Sequence, residues 1–170
     1  MNNINYKWCI LSDSSLLDTL AELFVKNAGM QYISHGEVID GRANNLNEWK
    51  ADIEAIMKEE FVEAMRGDPD SLKVFSRLAV TQQNGQAIAL ALVEFHPKTK
   101  VVVLCDIVVD ARLRGEKIGE SMLDWIEAES KQWGAKFIFL ESGYANQAAH
   151  HFFERMGFHT TSVMMMKEIS

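Results

Sequence analysis

The segment from Lys100 to Val109, KVVVLCDIVV, carries a single charged side chain after its opening lysine, that of Asp106. Apolar and polar residues do not alternate along it, so a strand here has no face to turn to water and should sit centrally in a sheet covered on both sides. It and the other apolar runs, IALALV among them, fall far below the roughly 18 residues needed to cross a bilayer. The chain must therefore supply other strands and helices to bury it.

The flanking sequence offers both. Ile4 to Leu11 reads as a first strand, and the SDSS cluster provides caps for a helix in which Leu16, Leu20, Phe24 and Ala28 recur at spacing four. From Gly29 to Asn47 the pattern dissolves into a long loop. Trp49, Ile53, Ile56, Met57, Ala64 and Met65 mark a second amphipathic helix, ended by GDPD. Leu72–Thr81 and Gln86–Phe95 flank QQNG, whose Asn84-Gly85 pair signals a hairpin, and HPKTK makes the next tight connection. Ile118, Met122, Trp125, Ile126, Glu129 and Trp133 outline a third helix that stops at Gly134. Lys136–Glu141 is a buried-type strand, Asn146–Met156 a fourth helix closed by Gly157, and His159–Ile169 a last strand. The order is β-α-α-β-β-β-α-β-α-β. Hairpin-joined strands are antiparallel, and the strand-helix-strand crossover is parallel and right-handed. The expectation is one α/β domain over residues 1–170, a central mixed sheet flanked by helices. Met164 to Met166 then read as core filling in the last strand.

With 17 Lys and Arg against 24 Asp and Glu, the net charge is −7. That balance argues against a nucleic-acid partner, which calls for a basic footprint. Cys9 and Cys105 match no metal-ligand spacing or disulfide framework, so no metal and a reducing compartment are expected. The start, MNNINYKWC, lacks a basic segment followed by an apolar stretch, and the reading is cytoplasmic, with no membrane partner.

Chemistry concentrates after Leu104, in LCDIVVDARLRGEKIGESM. A buried strand delivers the chain into a cationic turn that opens directly into a helix. The first N–H groups of a helix have no internal partner and carry about half a positive charge. Gly115 and Gly119 leave room for close approach, and Arg114 and Lys117 add cation, so the turn reads as a seat for phosphate or pyrophosphate. Neither G-x-x-x-x-G-K-[ST] nor G-x-G-x-x-G is present.

RGEKIG after a buried strand, followed about 30 residues later by N-x-x-A-x-x-F-F-x-x-x-G-F, resembles the Gcn5-related N-acetyltransferases, the GNAT superfamily. LESGYANQAAHHFF is similar to a signature of many small bacterial members. The resemblance implies transfer of acetyl from acetyl-CoA to a primary amine of a small acceptor, by direct attack in a ternary complex. It implies that acetyl-CoA lies where the strand of Asp106 and the strand of Glu141 splay apart. Its pyrophosphate would sit on Arg114, Gly115, Glu116, Lys117, Ile118 and Gly119. Its pantetheine arm would pair with main chain of Ile107, Val108 and Val109, an N–H there polarising the thioester. Asn146 would hold that arm from the far side, or cap the fourth helix. The resemblance also allows a homodimer.

Two positions depart from the family pattern. Lys117 stands where the motif has a glycine, and on this reading binding survives only if it takes ordinary helical dihedrals, as in a first helical turn. Phe153 stands where a tyrosine commonly protonates the leaving thiolate, which makes Tyr144 the replacement candidate. The departures also favour an alternative, a catalytically impaired relative that binds CoA ligands as a sensor. For the base that deprotonates the amine, the candidates are Glu141, then Asp106. His150 and His151 read as surface or packing residues, and His35 lies in the long loop. Cys105 reads as a thiol buried in its strand, and Trp49 and Trp125 as core on helix faces. Residues 37–70 hold ten acidic against four basic residues, six of the seven excess negatives. An acidic approach for a cationic amine is one reading, a solvated helix face the other.

Overall fold

Asn84 and Gly85 both adopt positive φ, 53° and 81°, the geometry a two-residue hairpin turn requires. The turn joins β4 (Phe75–Gln83) to β5 (Gln86–His96), and β5 continues antiparallel into β6 (Val101–Val109). The computed structural model describes residues 4–169. These form two compact units, one of residues up to Gly29 with Ala51–Glu141, the other of Met30–Lys50 with the residues from Ser142 onward.

The first unit contains a five-stranded sheet in the order β1-β4-β5-β6-β7, with β1 at Ile4–Trp8 and β7 at Phe137–Leu140. Every pairing is antiparallel except β6 with β7, which is parallel, as the crossover through a helix demands. The helices are α1 (Leu17–Asn27), α3 (Ile53–Met65) and α4 (Ile118–Trp133). Neighbouring residues of β4 separate them. Phe75 and Arg77 lie with α4 residues Glu129 and Trp133, whereas Ser76 between them lies with Glu59, Glu60 and Glu63 of α3. Since successive side chains of a strand point to opposite faces, α4 covers one face and α3 the other. Leu20, Phe24, Met57, Phe61, Leu78 and Leu90 are fully buried on the α1 and α3 side. On the α4 side Trp125 stacks on Tyr6 at 6.0 Å and meets Trp8 at 5.0 Å, while the Trp8 indole N–H donates to Glu129 Oε2 at 2.8 Å. The central strand is covered on both faces, as its composition demands.

The second unit corrects the expected long loop. It contains α2 (His35–Ile39) and a two-stranded ribbon, β2 (Ala43–Asn45) with β3 (Glu48–Trp49), and α5 (Gln147–Arg155). A capping box starts α2: Ser34 Oγ accepts from Gly36 N–H, and Glu37 Oε2 accepts from Ser34 N–H. Trp49 sits on β3 against Tyr32 at 6.2 Å, not on the face of α3, because the helix begins only after Asp52. The expected last strand does not form. No strand among the described residues pairs with residues 159–169, and without a ladder an apolar alternation makes no strand. Val163 and Met164 to Met166 are accordingly exposed, which overturns their reading as core. Among the described residues no helix is long and apolar enough to cross a membrane.

Candidate active site

β6 changes phase in its middle. Against β5 it pairs Val101–Leu104 with His96–Val93, then resumes with Asp106 opposite Leu92 and Val109 opposite Ala89, leaving Cys105 as an extra residue. Such a bulge bends its strand and sharpens the local twist. On the other edge the parallel ladder with β7 runs from Val101 and Phe137 to Leu104 and Leu140 and ends there. Beyond this fork, Ile107, Val108 and Val109 keep β5 on one side and have no strand partner among the described residues on the other. Main chain left open in this way can take an extended ligand arm as an added strand.

The two carboxylate candidates flank the fork on different arms. Asp106 is 1% exposed at the bulge, and Glu141, exposed, follows the last paired residue of β7. Cys105 is half-buried, its Sγ 3.7 Å from the Val103 carbonyl. This corrects the buried-thiol reading, since the extra residue of a bulge stands outside the regular alternation of its strand.

The turn after β6 is tied down from both ends. Asp110 Oδ1 accepts from the backbone N–H and Nε of Arg112, both at 3.0 Å, and Oδ2 accepts from Arg112 Nη2 at 2.5 Å. The Arg112 guanidinium holds the Asp110 carboxyl down at about 2. At the C-terminus of α1, Asn27 Oδ1 accepts from Ala111 N–H at 2.7 Å, and Arg114 Nη2 donates to the Asn27 carbonyl at 3.2 Å. The amide of Asn27 is itself fixed by donating to Leu23 O at 2.7 Å. Arg114, expected at the phosphate seat, therefore also closes the end of α1.

Arg114, Gly115, Glu116 and Lys117 are exposed, Gly119 is half-buried and Ile118 is buried. Gly115 has φ 88°. Lys117 is left-handed as well, φ 60° and ψ 17°, so the helical dihedrals anticipated for it are not those it takes. The family's glycine has its physical reason here, because the turn into α4 needs a positive φ at this residue and lysine adopts it at a cost. No side chain caps α4. Its first-turn N–H groups thus stay available to an anion, with the helix field behind them.

The second unit places the remaining sequence candidates. Gly143 is fixed by packing: a Cβ there would lie 2.7 Å from Ile33 O and 2.8 Å from Gln31 O. Tyr144 beside it is 92% exposed. Asn146 occupies the cap position of α5, but its side chain makes no capping hydrogen bond. Phe153 is buried between Phe152 and Phe158, with ring centroids 5.1 and 5.8 Å away. It fills space and has no proton to give.

On the α3 side of the sheet, Glu59, Glu60 and Glu63 line a pocket of about 350 Å³ with Ser76 and Leu92. Leu92 is the cross-strand partner of Asp106, so these three carboxylates line a pocket beside the bulge. Ser76, Leu92 and Asn27 carried no sequence signal for this. Their roles depend on strand register and on a contact 84 positions along the chain.

Comparison with known proteins identifies the family and the fold. The model of a family described as "Acetyltransferase (GNAT) family" matches residues 44–158. A curated relative, the aminoalkylphosphonate N-acetyltransferase of Salmonella typhimurium strain LT2, is 30% identical over 89 residues. The match spans 50% of this chain and 56% of that protein, so the chain spans about half the length of this relative. Two solved structures share the fold. A transcriptional regulator from Bacillus halodurans C-125 has a TM-score of 0.67 at 13% identity over 98% of this chain and 100% of its own. The aminoglycoside N-acetyltransferase AAC(6')-Iy, in complex with CoA, has a TM-score of 0.63 at 11% identity over 99% and 96%.

Proposed function

The chain belongs to the acetyltransferase (GNAT) family, and from that premise we propose that it moves acetyl from acetyl-CoA to the primary amine of a small cationic acceptor, by direct attack in a ternary complex. The observation that carries the choice of acceptor is the convergence of Glu59, Glu60 and Glu63 on one pocket whose inner wall, Leu92, pairs with Asp106. Three carboxylates favour an acceptor with more than one positive charge and disfavour one that carries a phosphonate. The aminoalkylphosphonate named for the Salmonella relative is of the disfavoured kind.

In this reading the uncapped N-terminus of α4, with Gly115 and Lys117 before it, seats the pyrophosphate, and the open edge at Ile107–Val109 receives the pantetheine arm. Asn146 steadies that arm, and Phe153 is a packing neighbour of it. An N–H of β6 polarises the thioester carbonyl as charge builds on its oxygen. A lysine-like amine has a pKa of about 10.4, so presenting it neutral at pH 7 costs roughly 4.6 kcal/mol, and a base is called for. Glu141 is that base, because it stands exposed on the free arm of the fork, where protons exchange with water. Asp106, buried at the bulge, is the second choice. The amine attacks the thioester carbon, the carbon–sulfur bond breaks, and the amine proton passes to the base. Tyr144 protonates the thiolate, or it leaves unaided, since a thiol pKa of about 8.5 makes it a tolerable leaving group.

The test is turnover of acetyl-CoA with diamines, polyamines, aminoglycosides, amino acids and aminoalkylphosphonates, reading released thiol. Polyamines or aminoglycosides are expected to give the highest kcat/KM. Thiol release no faster than without enzyme, for every amine, would count against catalysis. A preference for the phosphonates would overturn the acceptor assignment alone.

A further inference from the structure

A second cavity, of about 240 Å³, lies on the opposite face of the sheet from the acidic pocket, at the Trp133 end of α4. Its α4 residues, Glu129 to Trp133, put this cavity about 18–24 Å along the helix axis from the turn at Lys117. Phe75 and Phe95 form its floor, stacked at 5.0 Å with 2° between their planes. Trp133 stands edge-on to both, at 6.0 and 4.9 Å, and Trp8 is edge-on to Phe95 at 5.9 Å. Four rings line one half-open hollow, a surface on which a flat apolar group can pack.

Its charged groups are a pair held apart, with Gln132 a further polar side chain on the lining. The Arg77 guanidinium lies 4.5 Å from the centre of the Trp8 ring and, among the described residues, has neither a hydrogen bond nor an ion pair. Burial lowers its pKa, and the charge of Glu129 only partly offsets this. Glu129 gives one oxygen, Oε2, to the Trp8 indole N–H at 2.8 Å. The cavity thus presents a half-buried fork of donors with no acceptor, and a carboxylate with an oxygen to spare.

We propose that this cavity binds a free aromatic α-amino acid, with its ring among Phe75, Phe95, Trp8 and Trp133, its carboxylate on Arg77 and its ammonium on Glu129. A guanidinium and a carboxylate meet as two parallel hydrogen bonds, the arrangement the Arg77 fork is built to make. A plain aromatic acid would leave Glu129 facing a like charge, and a plain aromatic amine would do the same to Arg77. Only the zwitterion answers both. The volume suits it, since at about 30 Å³ per water the cavity holds roughly eight waters' worth of ligand.

Calorimetry of the protein without acetyl-CoA, using phenylalanine, 3-phenylpropionate and phenethylamine, tests the proposal independently of any transfer activity. Phenylalanine should bind saturably, each truncated probe at least about tenfold more weakly, as for the loss of one charge-assisted contact. Arg77→Met should weaken phenylalanine by a similar factor. Should that variant fail to fold, Glu129→Gln, which keeps an acceptor for Trp8, should weaken phenylalanine while sparing 3-phenylpropionate. Absence of saturable heat with all three probes overturns the site. So does binding of phenethylamine equal to that of phenylalanine, or an affinity unchanged in both variants.

Discussion

Leu104 of β6 and Leu140 of β7 form the last rung between their strands, and the residue after Leu104 is the extra one in the register with β5. The bulge and the end of the ladder therefore fall at the same point, and the fork is written into the register of a single strand. On the β7 side the chain leaves the ladder at Glu141. Replacing Glu141 by Gln should lower kcat by about a hundredfold or more while leaving KM for acetyl-CoA in place, the usual weight of a general base. The acidic limb of the pH–rate profile should flatten with it. A profile unchanged in shape would move the base to Asp106.

Lys117 holds a left-handed backbone at the entrance of α4. That conformation costs a non-glycine residue about 1–2 kcal/mol, part of which glycine returns through its own unfolded-state freedom. Lys117→Gly should thus raise stability by roughly 0.5–1 kcal/mol in urea unfolding. Affinity for CoA should fall severalfold in calorimetry, since a cation beside the phosphate seat is lost. Opposite signs in the two measurements are the expected mark of a strained residue kept for its side chain.

The acidic pocket carries its own signature in salt. Neutralising Glu59, Glu60 and Glu63 as glutamines should raise KM for a cationic acceptor and leave KM for acetyl-CoA unchanged. In the wild type the acceptor KM should climb from low to about 0.15 M ionic strength, where fields are screened within about 8 Å. A salt-independent acceptor KM would leave the three carboxylates as a solubilising face.

Asn27 is a positioning residue for the turn it reaches. Asn27→Ala removes the acceptor of the Ala111 N–H and loosens the strut on which Arg114 closes α1. A lost hydrogen bond of this kind is worth about 1–2 kcal/mol, so KM for acetyl-CoA should rise roughly five- to thirtyfold. At saturating acetyl-CoA the kcat should return to the wild-type value, a recovery that a merely unfolded fraction would not show.

Asp110 gives the turn a defined acid limit. Its carboxyl titrates at about 2 in the folded protein, depressed by Arg112, against an ordinary aspartate near 3.9 when unfolded. A depressed folded value stabilises the fold above the unfolded one and loses that contribution as pH falls toward the folded one. The stability advantage of the wild type over Asp110→Asn should stay level from about pH 8 to pH 5 and shrink between about pH 4 and pH 2. Denaturant midpoints across that range read it directly.

What could be read from the chain divides by range. The Asn84-Gly85 hairpin, the double burial of β6 and the cationic turn into α4 were all legible, because each rests on local propensity or on the periodicity of one segment. Residues 29–49 hid α2 and the β2–β3 ribbon, since elements of two to five residues are too short to show a period. Met164 to Met166 misled for the opposite reason, a good period without a strand to pair with. Lys117 could be flagged as a departure, yet its left-handed backbone needed coordinates. Ser76 and Leu92 became candidates only through register, and Asn27 only through a contact with Ala111 across the fold.

The bulge at Cys105 has one more consequence. Leu104 lies opposite Val93 and Asp106 opposite Leu92, so two residues of β6 that an unbroken strand would place on one face are sent to opposite ones. The strand is two half-strands spliced out of step by one residue. Deleting that single residue would remove the bulge without re-timing the strand: Asp106 would follow Leu104 directly, still opposite Leu92 and still on the face of the acidic pocket, and what β6 would lose is its bend at the fork.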